Sequence, residues 1–416
     1  LRFANCKRLH AADVSGREPL SSRGSGGGVT SVLMLCAHFW PTVGGAERQA
    51  ELQARALLRR GCHVEVLTMW NDPSWPEREV RDGLTIRRFP LTDLSRRHPG
   101  VRGLGVLNSL VQRRQVRNAV ARSLPEFDLL HAHLASPIVA FALDAAHQAG
   151  KPALCKVACG GATFDFVSLR ATSLLGPWLA RRLVSRMDRW IAISEEVAVD
   201  LRNAGVPESR ILRIPNAIDL SDLPSPRRRT PARRFLCMGR LPKFDLDSLV
   251  RGFEALVSKL PDAELCIAGG GDPSRLRALV AERPSLQGRV RTPGLSPARA
   301  QFEWADAVVH PSFAEGMSNT LLEAMSLGVP CAASDISPNS EVLDRGRAGL
   351  LFPLRDPEAL GDALVRLASE SDLALRLADA ARRRVEDHYS IDAVAPRIQS
   401  AYEELLGSRE PHSGPL

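Results

Sequence analysis

Short, fully apolar runs alternate with helical patterns along most of this chain. Residues 32–37 (VLMLCA) are continuously apolar over strand length, as suits a parallel strand covered on both faces. After a Gly44-Gly45 turn, Ala46, Ala50, Ala54, Leu57 and Leu58 recur at helical spacing, and Gly61 is placed to stop the helix. Residues 63–68 (HVEVLT) predict the next strand. The plan returns at 129–133 (LLHAH), which ends a strand, and at 190–194 (WIAIS), which leads into a helix starting near Glu195. Strands alternating with helices predict a doubly wound α/β sheet.

Between 219 and 234 the pattern breaks into a proline- and arginine-rich run (LPSPRRRTP at 223–231), the composition of an exposed linker. A fresh strand follows at 234–239. A second α/β series then runs through 264–268 with Gly269-Gly270-Gly271, 307–310 and 330–334. The expected organisation is a flexible leader at 1–29, a first Rossmann-like domain at 30–222 and a linker at 223–233. A second Rossmann-like domain spans 234–390, and at 391–416 a helix returns to the first domain and ends in a tail. Ligands are expected in the cleft, at the carboxyl ends of the strands.

Composition narrows the class. At 416 residues, with 44% apolar and 25% charged, the chain suits two soluble globular domains. No stretch nears the ~18–20 apolar residues of a membrane span, and the leader lacks the apolar core of a secretory signal. The eight cysteines are scattered without a CxxC pair, as expected of free thiols in a reducing cytosol. The net charge of +8 rests on arginine, since Lys7, Lys151, Lys156, Lys243 and Lys259 are the only lysines among 55 Lys and Arg. Arginine surpluses attract phosphates. Nucleic acid is disfavoured: no recognition motif is present, and at 5% aromatic residues stacking platforms are scarce.

The chemistry points to two clusters of the form strand, small-residue turn, helix. One is Gly44-Gly45-Ala46-Glu47-Arg48-Gln49; the other is Glu315-Gly316-Met317-Ser318-Asn319-Thr320-Leu321-Leu322-Glu323. Helix N-termini expose unpaired N–H groups that suit an anion. Gly316 to Asn319 can offer theirs to a diphosphate, and the Glu323 carboxylate can accept two hydrogen bonds from a ribose diol. Two plainer readings stand beside these: Thr320 to Glu323 matches a capping box, and Glu315 is then a solvated loop acid.

The second cluster, extended from Ser312 to Met325 and on to Gly328-Val329-Pro330, resembles the E-x7-E signature of family 4 glycosyltransferases, retaining enzymes of the two-domain GT-B fold. The Gly44–Gln49 motif, His131-Ala132-His133, Ile214 to Asp219, Gly239-Arg240-Leu241 and Ala268 to Gly271 follow in the family's order, covering about residues 31–405. The resemblance implies that Glu323 holds a ribose and Glu315 contacts donor-sugar hydroxyls. Arg240 and a nearby lysine neutralise the departing diphosphate. Gly44, Gly45, Gly270 and the backbone of Gly316, Met317, Ser318 and Asn319 lie along the donor. His133 lines the sugar or acceptor side; its plain alternative is a satisfied histidine at a strand end. Two departures stand out: the family's lysine five places after the arginine is Asp245 here, with Lys243 three places after, and Ser337-Pro338-Asn339 replaces a Gly-Gly turn. No metal cluster is visible, and the resemblance implies a metal-independent hexosyl transfer with a nucleotide-diphosphate sugar as co-substrate and no cofactor.

Two stretches are rich in arginine. Residues 95–123 carry Arg96, Arg97, Arg102, Arg113, Arg114, Arg117 and Arg122 with no acid, interleaved with leucines and valines; residues 174–189 carry Trp178, Arg181, Arg182, Arg186 and Arg189. They read either as solvated helix faces with leucines turned inward or as a basic amphipathic surface on anionic lipid. The expectation is a cytoplasmic, peripherally membrane-associated enzyme that moves a sugar to a glycan or lipid-linked acceptor. A nucleotide-sugar epimerase of the same fold and a non-catalytic sugar-nucleotide-binding subunit are the competing readings. A dinucleotide oxidoreductase lacks its G-x-G-x-x-G spacing.

Overall fold

In the computed structural model the described residues are 29–42, 44–94, 104–171, 175–221, 223 and 230–408. Residues 1–28 of the expected leader, Val43, Arg96, Arg97, Arg102, Leu174, most of the linker and the tail beyond 408 lie outside them. The first sheet comprises β1 (Ser31–Cys36), β2 (His63–Met69), β3 (Arg78–Arg81), β4 (Leu84–Phe89), β5 (Leu129–His133), β6 (Ala153–Val157), β7 (Arg189–Ala192) and β8 (Ile211–Arg213). Its strand order is β3-β4-β2-β1-β5-β6-β7-β8, parallel throughout except for β3, which runs antiparallel to β4 at one edge. The second comprises β9 (Arg234–Met238), β10 (Glu264–Ala268), β11 (Val290–Gly294), β12 (Ala307–His310), β13 (Cys331–Ser334) and β14 (Leu350–Phe352), ordered β11-β10-β9-β12-β13-β14 and all parallel. The two-sheet α/β architecture expected from the alternation is the one observed.

Continuous apolar runs became central strands because helices cover both faces: every residue of β1, β5 and β6 is buried. On one face of the first sheet, Val32, Met34 and Leu154 pack with Ala50 and Ala54 of the helix Gly45–Arg59 and with Val394, Ile398 and Tyr402 of the last helix, Ile391–Gly407. That last helix therefore crosses from the end of the second half back to the first. The crossing is fastened where Ile218 donates to the Tyr389 carbonyl and Ile391 donates to the Ile218 carbonyl, each at 2.8 Å. No helix among the described residues is long and apolar enough to cross a membrane.

The arginine-rich stretches turn out to be partly neutralised. Arg113 on the helix Leu104–Ser123, and Arg182 and Arg186 on the helix Gly176–Arg186, converge on Asp144 of the intervening helix Pro137–Gln148. The acid missing from the local sequence is supplied through space. The leucines are not all turned inward: Val116 and Val120 are buried, whereas Val106, Leu107 and Leu110 in the first turns are about half exposed.

Candidate active site

Both loop clusters open toward the same cleft. In the second half, β12 ends at His310 and the chain loops to the helix Asn319–Ser326, whose N-cap is Ser318: its hydroxyl accepts from Leu321 N at 3.2 Å. Thr320 is spent elsewhere, donating to the Met238 carbonyl at 3.1 Å. The capping box expected as one reading of Thr320 and Glu323 is therefore not formed, because the helix starts one residue after Ser318 rather than after Thr320. Glu323 instead reaches across the cleft, its Oε1 2.9 Å from Arg48 Nη2 on the first helix. Burial pushes its carboxyl above the usual range, against the pull of Arg48.

Glu315 is not a solvated acid either. One oxygen lies 3.1 Å from Lys243 Nζ and the other 3.3 Å from His310 Nε2, which Ser318 Oγ also approaches at 3.0 Å. Burial pushes Glu315 up, but His310 and Lys243 together hold it below the ordinary carboxylate range. Lys243 gets there from a short turn, Leu241–Lys243, directly behind Arg240. Asp245, which stands at the family's lysine position, is buried and caps the helix Leu246–Lys259 by accepting from Ser248 N. Arg240 is exposed at the cleft; its carbonyl accepts from Lys243 N at 3.0 Å, while its guanidinium makes no hydrogen bond or ion pair among the described residues.

The glycines mark where backbone meets backbone. A Cβ at Gly269, whose φ is +144°, would collide with the Gly239 carbonyl, so the strand ends carrying Arg240 and the glycine turn close on each other; Gly270 contributes its carbonyl to Leu241 N at 2.9 Å. A Cβ at Gly316 would collide with the Ala158 carbonyl at the end of β6, so the Glu315 loop sits directly on the first half. Met317 is buried behind it. Asn319 bridges the cleft, taking hydrogen bonds from Asn216 at 3.0 Å and Gln49 at 3.3 Å and donating to the Gly45 carbonyl at 3.3 Å. Gly44 is the N-cap of the first helix, with no side chain capping it. Ser337-Pro338-Asn339 opens the helix Ser337–Val342, where Asn339 donates to the Ser334 carbonyl at 3.1 Å and Glu341 pairs with Arg213 at 2.6 Å across the cleft.

His133 ends β5 on the first-half wall. It is buried, stacked on His131 with ring centroids 4.5 Å apart, and its Nε2 has no hydrogen-bond partner among the described residues. The satisfied strand-end histidine is thus not what the structure holds. Burial, with His131 and Lys156 nearby, keeps its imidazole neutral. Behind it, Asp165 accepts from Ala135 N at 2.8 Å and holds the loop ends after β5 and β6. Sequence reading did not single out Arg48, Gln49, Asn216 or His310 as side chains with roles, although the first three stand inside motifs it quoted.

The second half of the chain, residues 232–370, matches the family model for group 1 glycosyl transferases, and residues 43–222 match the model for glycosyltransferase family 4. The two matches are separated only by residues 223–231, the proline- and arginine-rich run between the two sheets. The chain belongs to the family 4, group 1 glycosyltransferases. This glycosyltransferase is 28% identical over 401 residues to the phosphatidyl-myo-inositol mannosyltransferase of Mycobacterium leprae, covering 90% of this chain and 97% of that one. It is 29% identical over 400 residues to a GDP-mannose-dependent alpha-mannosyltransferase of Mycolicibacterium smegmatis, covering 91% and 98%. Among solved structures it superposes on Anabaena HepE in complex with UDP and glucose with a TM-score of 0.71 at 18% identity, covering 90% of this chain and all of that one. Sucrose-phosphate synthase from Thermosynechococcus elongatus gives 0.72 at 20%, covering 91% and all. These are GT-B proteins, and the fold is the one the sequence led us to expect.

Proposed function

We propose that the enzyme transfers a hexosyl group, with retention of configuration, from a nucleotide-diphosphate sugar to a glycan or lipid-linked acceptor. The observation that carries this is the convergence, at one end of the cleft, of Arg240, the Lys243–Glu315–His310 set and the N-terminus of the helix Asn319–Ser326. That set is a cationic, N–H-rich seat beside a carboxylate, which fits a diphosphate leaving group next to sugar hydroxyls. Glu323 and Arg48 meet from opposite sides in the lining of a cleft pocket of about 400 Å³, and Glu323 takes the ribose in this reading. The acceptor hydroxyl approaches from the His133 side, on the face the diphosphate leaves. A β-phosphate oxygen receives its proton while Arg240, Lys243 and helix N–H groups take up the growing charge. No second carboxylate need act as a base.

The mannosyltransferase relatives make GDP-mannose the first donor to try and phosphatidylinositol the first acceptor. A site at the cytoplasmic face of a membrane is supported by Val106, Leu107 and Leu110, exposed at the start of a helix that also carries the exposed Arg114. The test is a thermal-shift and calorimetric panel of nucleoside diphosphates, followed by sugar transfer from labelled GDP-mannose and UDP-glucose to lipid vesicles. A matched ligand at ~100 times its dissociation constant adds about 2.7 kcal/mol of stability. Anomeric retention is read from the product by NMR. A protein that binds no nucleoside diphosphate and releases none from any nucleotide sugar refutes the proposal. Sugar conversion without an acceptor would point to an epimerase.

A further inference from the structure

Near the cleft-side ends of the first sheet, a row of side chains that should be apolar is not. Cys36, His133, Lys156 and Ile191 stand in register on β1, β5, β6 and β7, so they leave the sheet on one face. Cys36 and Ile191 place that face under the first and last helices. One pleat back on β5, His131 Nδ1 meets the Tyr402 hydroxyl at 2.6 Å. Lys156 is 2% exposed, and its Nζ has no hydrogen-bond partner among the described residues; the same is true of Nε2 of both histidines.

Burying an ammonium with nothing to pair it costs far more than any packing its stem provides, and a methionine would fill the space without that cost. The environment bears this out: burial pushes the lysine down to about 7, and burial with the lysine's own charge pushes His131 down to about 3. The group is therefore a set of nitrogen donors short of an acceptor. Beyond β1 lies the N-terminus of the first helix, where no side chain caps Gly44; the carboxylate of Glu47 in its first turn lies close to Gly44 and is felt at Cys36, and it makes no hydrogen bond to Lys156 or His133. Ala158, two residues past Lys156, carries the carbonyl against which Gly316 is pressed.

We propose that Lys156, with His133 beside it, binds a phosphoryl oxygen of a bound substrate from the first-sheet wall of the cleft. The inference rests on the glycosyl-transfer reading and adds to it a second cationic seat, opposite Arg240 and Lys243. The oxygen belongs either to the donor diphosphate or to a phosphate in the acceptor; the chemistry of capture is the same.

The full-length chain carrying Lys156→Met, and separately Lys156→Arg, separates these sources. If the donor is the source, calorimetry with GDP and UDP shows at least a tenfold weaker Kd for Lys156→Met and partial recovery for Lys156→Arg. If the acceptor is the source, those Kd values stay as in the wild type, while KM for phosphatidylinositol vesicles with GDP-mannose rises at least tenfold at unchanged kcat. In either case Lys156→Met without ligand melts no lower than the wild type, because an unpaired buried charge has gone. As a check that needs no variant, lysine-labelled wild type has only five lysines to resolve by carbon NMR, and the Lys156 signal shifts on adding GDP or inositol phosphate. Wild-type affinity and KM in Lys156→Met, or an unmoved Lys156 signal in a chain that does bind ligand, overturns the inference while leaving glycosyl transfer intact. A wild type that binds none of these ligands overturns both.

Discussion

Replacing Glu323 with glutamine tests the nucleotide seat at its most exposed assumption. The amide keeps the size of the side chain but gives up the charge and one of the two acceptor oxygens. A hydrogen bond to a charged group contributes about 1.5–3 kcal/mol, which corresponds to a rise of roughly 10- to 150-fold in Kd. Stability should hardly follow. The ion pair lost is Arg48–Glu323, with Arg48 half exposed, and such pairs contribute about 0–1 kcal/mol. The helix start is untouched because Ser318, not Thr320, caps it. Calorimetry with GDP, UDP and their 2′,3′-dideoxy forms makes the comparison complete. The wild type should bind the dideoxy forms as weakly as Glu323→Gln binds the parent nucleotides, and the variant should lose little more when the hydroxyls are absent. A variant that binds GDP and UDP like the wild type, and still discriminates against the dideoxy forms, would refute the ribose assignment.

Arg240→Ala should lower kcat more than it weakens nucleotide-sugar binding, since charge grows on the diphosphate as the bond breaks; steady-state and binding constants side by side check this. Lys243→Ala should follow it, and full activity in Lys243→Ala beside a crippled Arg240→Ala would show that the lysine only holds Glu315. Asp165 titrates at about 6, raised by burial against the pull of the N–H groups of Ala135, Cys159 and Ala158. Because the folded chain holds this proton more tightly than the unfolded one, its contribution is full below about pH 4 and is lost as pH rises through 6. Melting curves from pH 4 to 7 should show the wild type losing ground against Asp165→Asn, and a pH-independent gap would contradict it. Changing Val106, Leu107 and Leu110 together to serine should abolish sedimentation with anionic vesicles at low salt, and equal binding by both proteins would dismiss the helix as a membrane contact.

What could be read from the chain was what depends on neighbours in sequence. β1 and the apolar stretches of β9, β10 and β12 were visible because strands covered on both faces are apolar along their buried length, and β5 (LLHAH) was placed by its leucines and its motif despite two histidines. β3 (REVR) was not, since an antiparallel edge strand open to water needs no apolar face, and β4 (LTIRRF) hides its alternation behind two arginines. Glu315 and Glu323 stood out by their spacing, but what each touches did not. Arg48, Lys243 and His310 reach these carboxylates only once two sheets have folded against each other. The capping-box reading failed because Ser318 and Thr320 are equally good caps on paper, and only the demand of Met238 for the Thr320 hydroxyl decides between them. The displacement of the lysine to Lys243, two places before Asp245, likewise needed the turn Leu241–Lys243 and the Asp245 cap to become intelligible. Lys156 was noticed as a rare lysine and nothing more.

The returning helix Ile391–Gly407 sets an order of events at the ribosome. The second sheet and its helices are contiguous between β9 and Arg384, so they can close as soon as that segment emerges. The first sheet is made earlier but lacks the wall supplied by Val394, Ile398 and Tyr402 until the helix Ile391–Gly407 has emerged. The half synthesised first is therefore completed after the second half, and until then it presents an apolar flank to solvent. A nonsense codon anywhere upstream of Ile391 would leave that flank permanently bare, so even a short C-terminal truncation should yield aggregated protein rather than a smaller working enzyme.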